Sequence, residues 1–418
     1  MTFGPPPQDF GPAAAAAPAW NAPTPTEQAL YEAKSRGDWA AYYETLARAY
    51  LYFVIDRAHA DTHADSILPL YCPPHAPTYR WEVFTDGMLP TPEPNLVFTR
   101  HPLHWFARSW TPTDPPLLTV NPGSPCEVSL PAGPPHATHW ARVADHVGSP
   151  RLRGHLRALS VGGPLHGTVA HGLACGALLC VTNGSLWNAM GWHGTGYDKE
   201  RERLREWWGI TTREEWRSAL DGLLACESHS PVWEFALSLR RTIARDFGGH
   251  VDPAYWRQAA ETVMRRNAAE RTTLSEDGVT YTEPRPEAET TARIEGVQRL
   301  IGRITRYESR MRADGVLAEG RYVSSVDAWD LGRASKMARW GLGARFGTLQ
   351  EAESAVVAAG RAASLSYRSW QDFSAGYILG RCLHFDDEEF GDWYEDMVQA
   401  HRILTEDPGS PWLNIPFQ

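Results

Sequence analysis
The chain holds 418 residues, room for two or three domains with ordinary cores, and its 43% hydrophobic and 22% charged composition is that of a soluble globular protein. A net charge of −10 with no Lys/Arg run repels phosphate backbones and anionic bilayers, which excludes nucleic acid as an expected partner, and no run of about 18 apolar residues offers membrane insertion. The six cysteines (Cys72, Cys126, Cys175, Cys180, Cys226 and Cys382) show neither a CxxC pair nor zinc or disulfide spacing, so the expectations are a reducing cytoplasm, no metal and no cofactor.

The opening tract MTFGPPPQDFGPAAAAAPAWNAPTPT lacks the basic start and apolar core of a signal peptide, and its Pro/Ala richness predicts a disordered tail over 1–25. Folded structure is expected from Thr26, a capping residue for the helix EQALYEAKSR, with Gly37 ending it and Asp38 capping the next, WAAYYETLARAY. Strands follow. LYFVID (51–56), RWEVFTD (80–86), NLVFTR (95–100), PLLTVN (116–121) and CEVSL (126–130) are short, β-branched or aromatic, and bounded by Pro, Gly, Asp or Asn. Between the last two, the NPGSP segment predicts a type II turn, because Pro122 presets φ and Gly123 supplies a positive φ. A small α/β domain over 26–135 and a connector over 136–168 result.

Beyond about residue 165 the strand signals vanish. RERLREWWGI should end its helix at Gly209, with Ile210 making the apolar contact of a Schellman cap, and Thr212 with Glu215 forms a capping box for REEWRSALDGLLA. Helices are expected at about 253–271 and 288–314, with the polar stretch TTLSEDGVTYTEPRPEAE as a loop between them. Val326, Trp329, Arg333, Met337 and Trp340 fall on one helical stripe. Thr348 with Glu351, and Ser369 with Asp372, begin the next two helices. Trp370, Phe373, Tyr377, Arg381 and His384 repeat the stripe, and Phe390, Trp393, Met397, His401 and Leu404 carry it through a last helix. The fold class is α+β: a small N-terminal α/β domain, then a larger all-α, Trp-rich domain over 169–418.

Two resemblances attach to these motifs. The region from Glu27 to about Pro131, with ALYEAKSRGDWAAYYETLARAYLYFV, WEVFTD and LLTVNPGSPCEVSL, resembles the N-terminal domain of enhanced serine sensitivity protein B (SseB-like). The region from about His171 onward, with LREWWGITTREEW, AWDLGRASKMARWG, SWQDFSAGYILGR and PWLNIPF, resembles the domain-of-unknown-function family 1266 of Ybe-type proteins. The pairing is one found in actinobacterial proteins. Neither resemblance transfers a catalytic residue; the first implies a protein partner and a role accessory to a secretion or toxin-immunity system.

The candidate ligand or partner pocket is the polar set Asp327, Asp330, Arg333 and Arg381 among Trp329, Trp340, Trp370 and Tyr377. Asp330 and Arg333, three apart on one face, are expected to pair, either as a clasp between helices or as pocket polarity. His59, Asp61, His63 and Asp65 lack the HExxH pattern and a third ligand, so an exposed loop is expected there, and Pro-rich loops for His101/His104 and His136/His139. The glycine-rich SVGGPLHGTVAHG lacks the GK[ST] of a phosphate loop and reads as a connector. Cys175 and Cys180, near His171 in an apolar run, are expected to be inert, and Asp386–Glu389 to open a helix. The chain is thus expected to be a cytoplasmic, non-enzymatic adaptor whose aromatic helical surface binds a protein. The alternative is an enzyme or effector working through a pocket between the Trp-rich helices, which a cleft of convergent ionisable groups would favour.

Overall fold
A computed structural model of the chain describes residues 20–62, 80–112, 114–148, 150, 153–159, 163–249, 251–269, 272–275, 278–281 and 285–417. Most of the expected tail, with His63, Asp65 and Cys72, lies outside that set. Helices α1 (Pro25–Arg36) and α2 (Trp39–Arg48) lead into β1 (Tyr50–Asp56), α3 (Arg57–Thr62), β2 (Trp81–Val83), β3 (Leu96–Pro102), α4 (Leu103–Ser109), β4 (Leu117–Val120), β5 (Val128–Pro131) and α5 (Pro134–Val147). Next come α6 (Gly167–Cys175), α7 (Ala177–Asn183), α8 (Tyr197–Trp208), α9 (Arg213–Leu224), α10 (Pro231–Phe247) and α11 (Pro253–Ala269). After β6 (Thr272–Ser275) and β7 (Gly278–Tyr281), the chain closes with α12 (Glu287–Ala313), α13 (Asp327–Gly343), α14 (Leu349–Ser366), α15 (Trp370–Phe385), α16 (Asp392–Glu406) and α17 (Pro411–Asn414). The described residues within Met1–Leu51, Tyr71–Leu89 and Pro102–Gly148 form one compact unit, and those within Tyr52–Leu70, Pro90–His101 and Ser149–Gln418 the other.

In the first unit β4 lies centrally, parallel to β2 with Trp81 opposite Leu118, and antiparallel to β5 with Leu118 opposite Leu130. Trp81, Val83, Leu118, Val120 and Leu130 are buried, as are Leu30, Tyr42, Leu46, Phe106 and Trp140 from the helices. The β4–β5 turn forms as expected: Ser124 N donates to Asn121 O at 3.2 Å, and Gly123 takes φ +77°. Helix α1 starts two residues earlier than expected, with Thr24, not Thr26, accepting the capping bond. The Pro-rich segment around His136 and His139 is not a loop but α5. Its prolines occupy N1 and N2, where a missing N–H costs nothing, and Ala137, Trp140 and Ala144 bury one face. His104 likewise sits on α4.

In the second unit β1 pairs with β3, which holds His101 near its end, and α3 carries His59 and Asp61 as helix where a loop was expected. Helix α13 is the hub: it packs on α6, α7, α8, α9, α14 and α15. Nearly every face of it is buried, so the single predicted stripe understates its enclosure. Gly341 permits this closeness, since a Cβ there would stand 2.0 Å from Trp216 Nε1, which donates to Met337 O at 3.0 Å. The capping boxes at Thr212/Glu215 and Thr348/Glu351, the Ser369 cap, and the Gly209–Ile210 helix end all form.

Three further expectations are corrected. Thr272–Ser275 and Gly278–Tyr281 pair antiparallel, with Leu274 opposite Val279, because β-branched Thr272, Thr273, Val279 and Thr280 favour strands. Helix α6 begins inside the glycine-rich segment expected to be a connector. Asp386–Glu389 closes α15 rather than opening a helix: Asp386 accepts from Tyr307 Oη at 2.8 Å and from Phe390 N at 3.0 Å, while Glu388 pairs with Arg306.

Candidate functional site
Trp329, Trp340, Trp370 and Tyr377 are core residues, each almost wholly buried. Trp370 stacks on Trp412 with centroids 5.7 Å apart and donates to Ile415 O at 2.8 Å, pinning the C-terminal segment to α15. Burial pushes the Tyr377 phenol up, against the pull of the Arg381 and Arg333 charges. Arg381 lies over the rings of Trp393 (4.9 Å) and Phe385 (5.7 Å); among the described residues it forms no ion pair with a carboxylate. Asp330 and Arg333 do pair, within α13, and Arg333 lies 3.5 Å over the Trp329 ring. Cys175 is buried and free, and burial pushes its thiol up to about 12.

What α13 gathers around Asp330 is a different centre. The segment between α9 and α10 delivers Ser228 and His229. Their backbone N–H groups donate to Asp330 Oδ2 at 2.9 and 3.2 Å, and His229 Nδ1 lies 3.0 Å from the same oxygen. The Asp330 side chain is 0% exposed and that of His229 3%, so the carboxylate fixes the imidazole by burial as well as by bonding. With Nδ1 engaged, Nε2 faces Asp327 Oδ1 at 3.9 Å, beyond hydrogen-bond distance.

Asp327 stands at the start of α13 and Glu234 in the first turn of α10, where helix N-termini favour carboxylates. Ser325 ties them together: its Oγ donates to Glu234 Oε2 at 3.0 Å and accepts from Asp327 N at 3.0 Å. Asp327 Oδ2 accepts from Ser366 Oγ at 3.2 Å, and Arg241 pairs with Glu234 Oε1 at 2.8 Å. Trp233 lies parallel to the His229 ring, 6.5 Å away.

His229, Glu234 and Asp327 line a cavity of about 810 Å³ together with Cys226, Phe235 and Ser238. Burial opposes a charge on His229, but the Asp330 hydrogen bond and the Asp330, Asp327 and Glu234 charges outweigh it and raise its pKa. Burial and the same three carboxylates push the Cys226 thiol up to about 12, so it is a poor nucleophile. A second cavity of about 690 Å³ shares Asp327 and carries Arg241, Arg321 and Arg368.

Asp327 and Asp330 were legible from the sequence; His229 and Glu234 were not, because α10 was not recognised and nothing local links them to α13. The Ser230-Pro231 start, with an apolar run after it, was the available signal. Sequence reasoning also missed Arg240, which meets Glu308 bidentately at 2.7 and 2.8 Å and joins α10 to α12. It missed Lys336 and Arg339 as well. Both are fully buried on α13, with Lys336 Nζ donating to Ser185 Oγ at 2.9 Å and Arg339 to Trp187 O at 2.8 Å.

Residues 203–417 match the model of a family described as protein of unknown function (DUF1266), a span that contains His229, Glu234, Asp327 and Asp330. No curated protein and no solved structure matches the chain.

Proposed function
We propose that this chain, which belongs to the DUF1266 family, is an enzyme or effector working through the His229 cleft on a small substrate that bears an anionic group. One observation carries the reading: Asp330 holds Nδ1 of a buried histidine at 3.0 Å, so Nε2 presents itself at the wall of a cavity of about 810 Å³. An imidazole fixed at one nitrogen, with the other facing the Asp327 carboxylate at 3.9 Å, is positioned to take a proton or a cation. The anionic group is argued from Arg241, Arg321 and Arg368 in the adjoining cavity, whose planar guanidinium groups suit carboxylate or phosphate.

A thermal-shift screen of phosphorylated, carboxylated and neutral metabolites tests this reading. Anionic compounds should stabilise the chain, with the shift abolished by His229→Ala and by Asp327→Asn. Absence of any stabilising compound, or shifts indifferent to both substitutions, refutes it.

Partner binding is the second reading. It is supported by Phe385 and Trp393, which stack 4.8 Å apart at 17° while 42% and 46% exposed. On that reading the N-terminal segment is SseB-like and the chain is a cytoplasmic adaptor, accessory to a secretion or toxin-immunity system; affinity capture lost in Trp393→Ala would support it.

A further inference from the structure
We infer that His229, Glu234 and Asp327 bind one first-row divalent cation of the Mn²⁺ or Zn²⁺ type. The inference rests on the reading of the His229 cleft as the working site and names the group that the cleft holds. One ligand atom from each of the three residues lies within 4.8 Å of the others. Ligands about 2.1 Å from a shared tetrahedral ion stand roughly 3.4 Å apart. Shifts on the order of 1 Å in Glu234 and Asp327, both partly exposed, would therefore close the site.

A cluster of carboxylates alone would carry little weight, but the histidine adds an independent observation. Its side chain is 3% exposed, and Nε2 faces the cluster with its carboxylate neighbour at 3.9 Å, a spacing too long for a hydrogen bond and suited to an intervening ion. Asp330 on Nδ1 supplies the outer-shell carboxylate that orients a metal-ligating histidine.

Charge and ligand type agree. Arg333 pairs with Asp330 and Arg241 with Glu234, whereas among the described residues no Lys or Arg pairs with Asp327, whose Oδ2 accepts from Ser366 Oγ while Oδ1 faces Nε2. Arg241 engages Glu234 Oε1, which leaves Oε2 for an ion in exchange for its bonds from Ser325 Oγ and Val326 N. One imidazole with two carboxylates suits Mn²⁺, Fe²⁺, Co²⁺ or Zn²⁺ better than Ca²⁺, which prefers oxygen ligands throughout, or Cu⁺, which prefers sulfur. A cation here would also sit beside the arginine-lined cavity across Asp327, where an anionic substrate would meet both.

The test uses untagged, full-length, chelator-stripped protein titrated calorimetrically with Mn²⁺ and with Zn²⁺ near neutral pH. A single equivalent should bind. His229→Ala, Glu234→Gln and Asp327→Asn should each weaken binding by at least about tenfold, and Asp330→Asn by roughly 10–100-fold through loss of ring orientation. Glu234→Gln and Asp327→Asn alter partly exposed groups, and an unchanged circular dichroism spectrum in these two separates lost ligation from lost fold. No saturable binding at millimolar cation, or binding unchanged in those two variants, overturns the inference. If the stripped chain binds no cation yet keeps His229-dependent stabilisation by anionic metabolites, the cation falls and the cleft reading stands. A bound cation with no metabolite effect leaves the cation standing and removes the cleft reading.

Discussion

Replacing Asp330 by Ala removes one acceptor from four donors: Ser228 N at 2.9 Å, His229 N at 3.2 Å, His229 Nδ1 at 3.0 Å and the Arg333 guanidinium. Asp330 is fully buried, so the orphaned donors do not simply turn to water. Each unsatisfied neutral donor costs about 1–3 kcal/mol, and breaking a buried ion pair costs about 3–5 kcal/mol. These losses share one site and overlap, so roughly 3–5 kcal/mol is expected in total. Arg333→Ala is milder. Were Arg333 the sole partner, its removal would strand the carboxylate at that same cost, but three donors remain. What goes is the charge-assisted bond to Asp330, worth about 1.5–3 kcal/mol, the Nε bond to Trp329 O at 3.1 Å, and the guanidinium contact 3.5 Å over Trp329. Guanidinium unfolding followed by far-UV circular dichroism should show Arg333→Ala less destabilised than Asp330→Ala, and the double variant should cost less than the sum of the singles. Equal losses in the two single variants, or losses within about 0.5 kcal/mol of zero in both, would refute Asp330 as the hub of this wall.

Burial, opposed by Cys180 and aided by Arg339, lowers the Lys336 ammonium to about 7. The unfolded chain binds the extra proton between that value and about 10.4, so stability should rise with pH across the window, and Lys336→Met should flatten the rise and increase Tm near pH 6. Burial likewise holds His401 at about 4, beside Ser374 Oγ at 2.8 Å. Its neutral form is favoured by folding, so stability should fall as pH drops from about 6.5 towards 4, and thermal melts of His401→Gln should show a shallower acid loss. Thr212→Ala and Thr348→Ala each open a capping box and should cost about 1 kcal/mol in denaturant unfolding, and the double variant should depart from the sum of the singles because Arg213, next to Thr212, pairs with Glu351 of the second box at 2.6 Å. Gly341→Ala should lower Tm far more than either, since its Cβ would collide with Trp216, whereas Gly296→Ala, with open space around it on α12, should not.

Local chemistry determined much of this protein. Thr212 with Glu215, Thr348 with Glu351, Ser369 with Asp372, Gly209 with Ile210, and the Asn121–Ser124 turn all form because each depends on residues within six positions of one another, where backbone propensity and capping act unaided. The same locality made the Asp330–Arg333 pair legible, three residues apart on α13. Elements that the sequence concealed had masked signals: α5 and α10 open on prolines that read as loop, and β6–β7 is a polar stretch whose β-branched alternation was outweighed by its charges. Tertiary structure alone decided which charges are buried and what they meet. Lys336 and Arg339 look like the exposed face of an amphipathic helix until six helices enclose α13. The candidate site is of this second kind. His229 and Asp330 are 101 residues apart, and they meet because a carboxylate buried on the central helix must find donors, which the turn entering α10 supplies. No periodicity or spacing encodes that encounter; the requirement to satisfy a buried charge does.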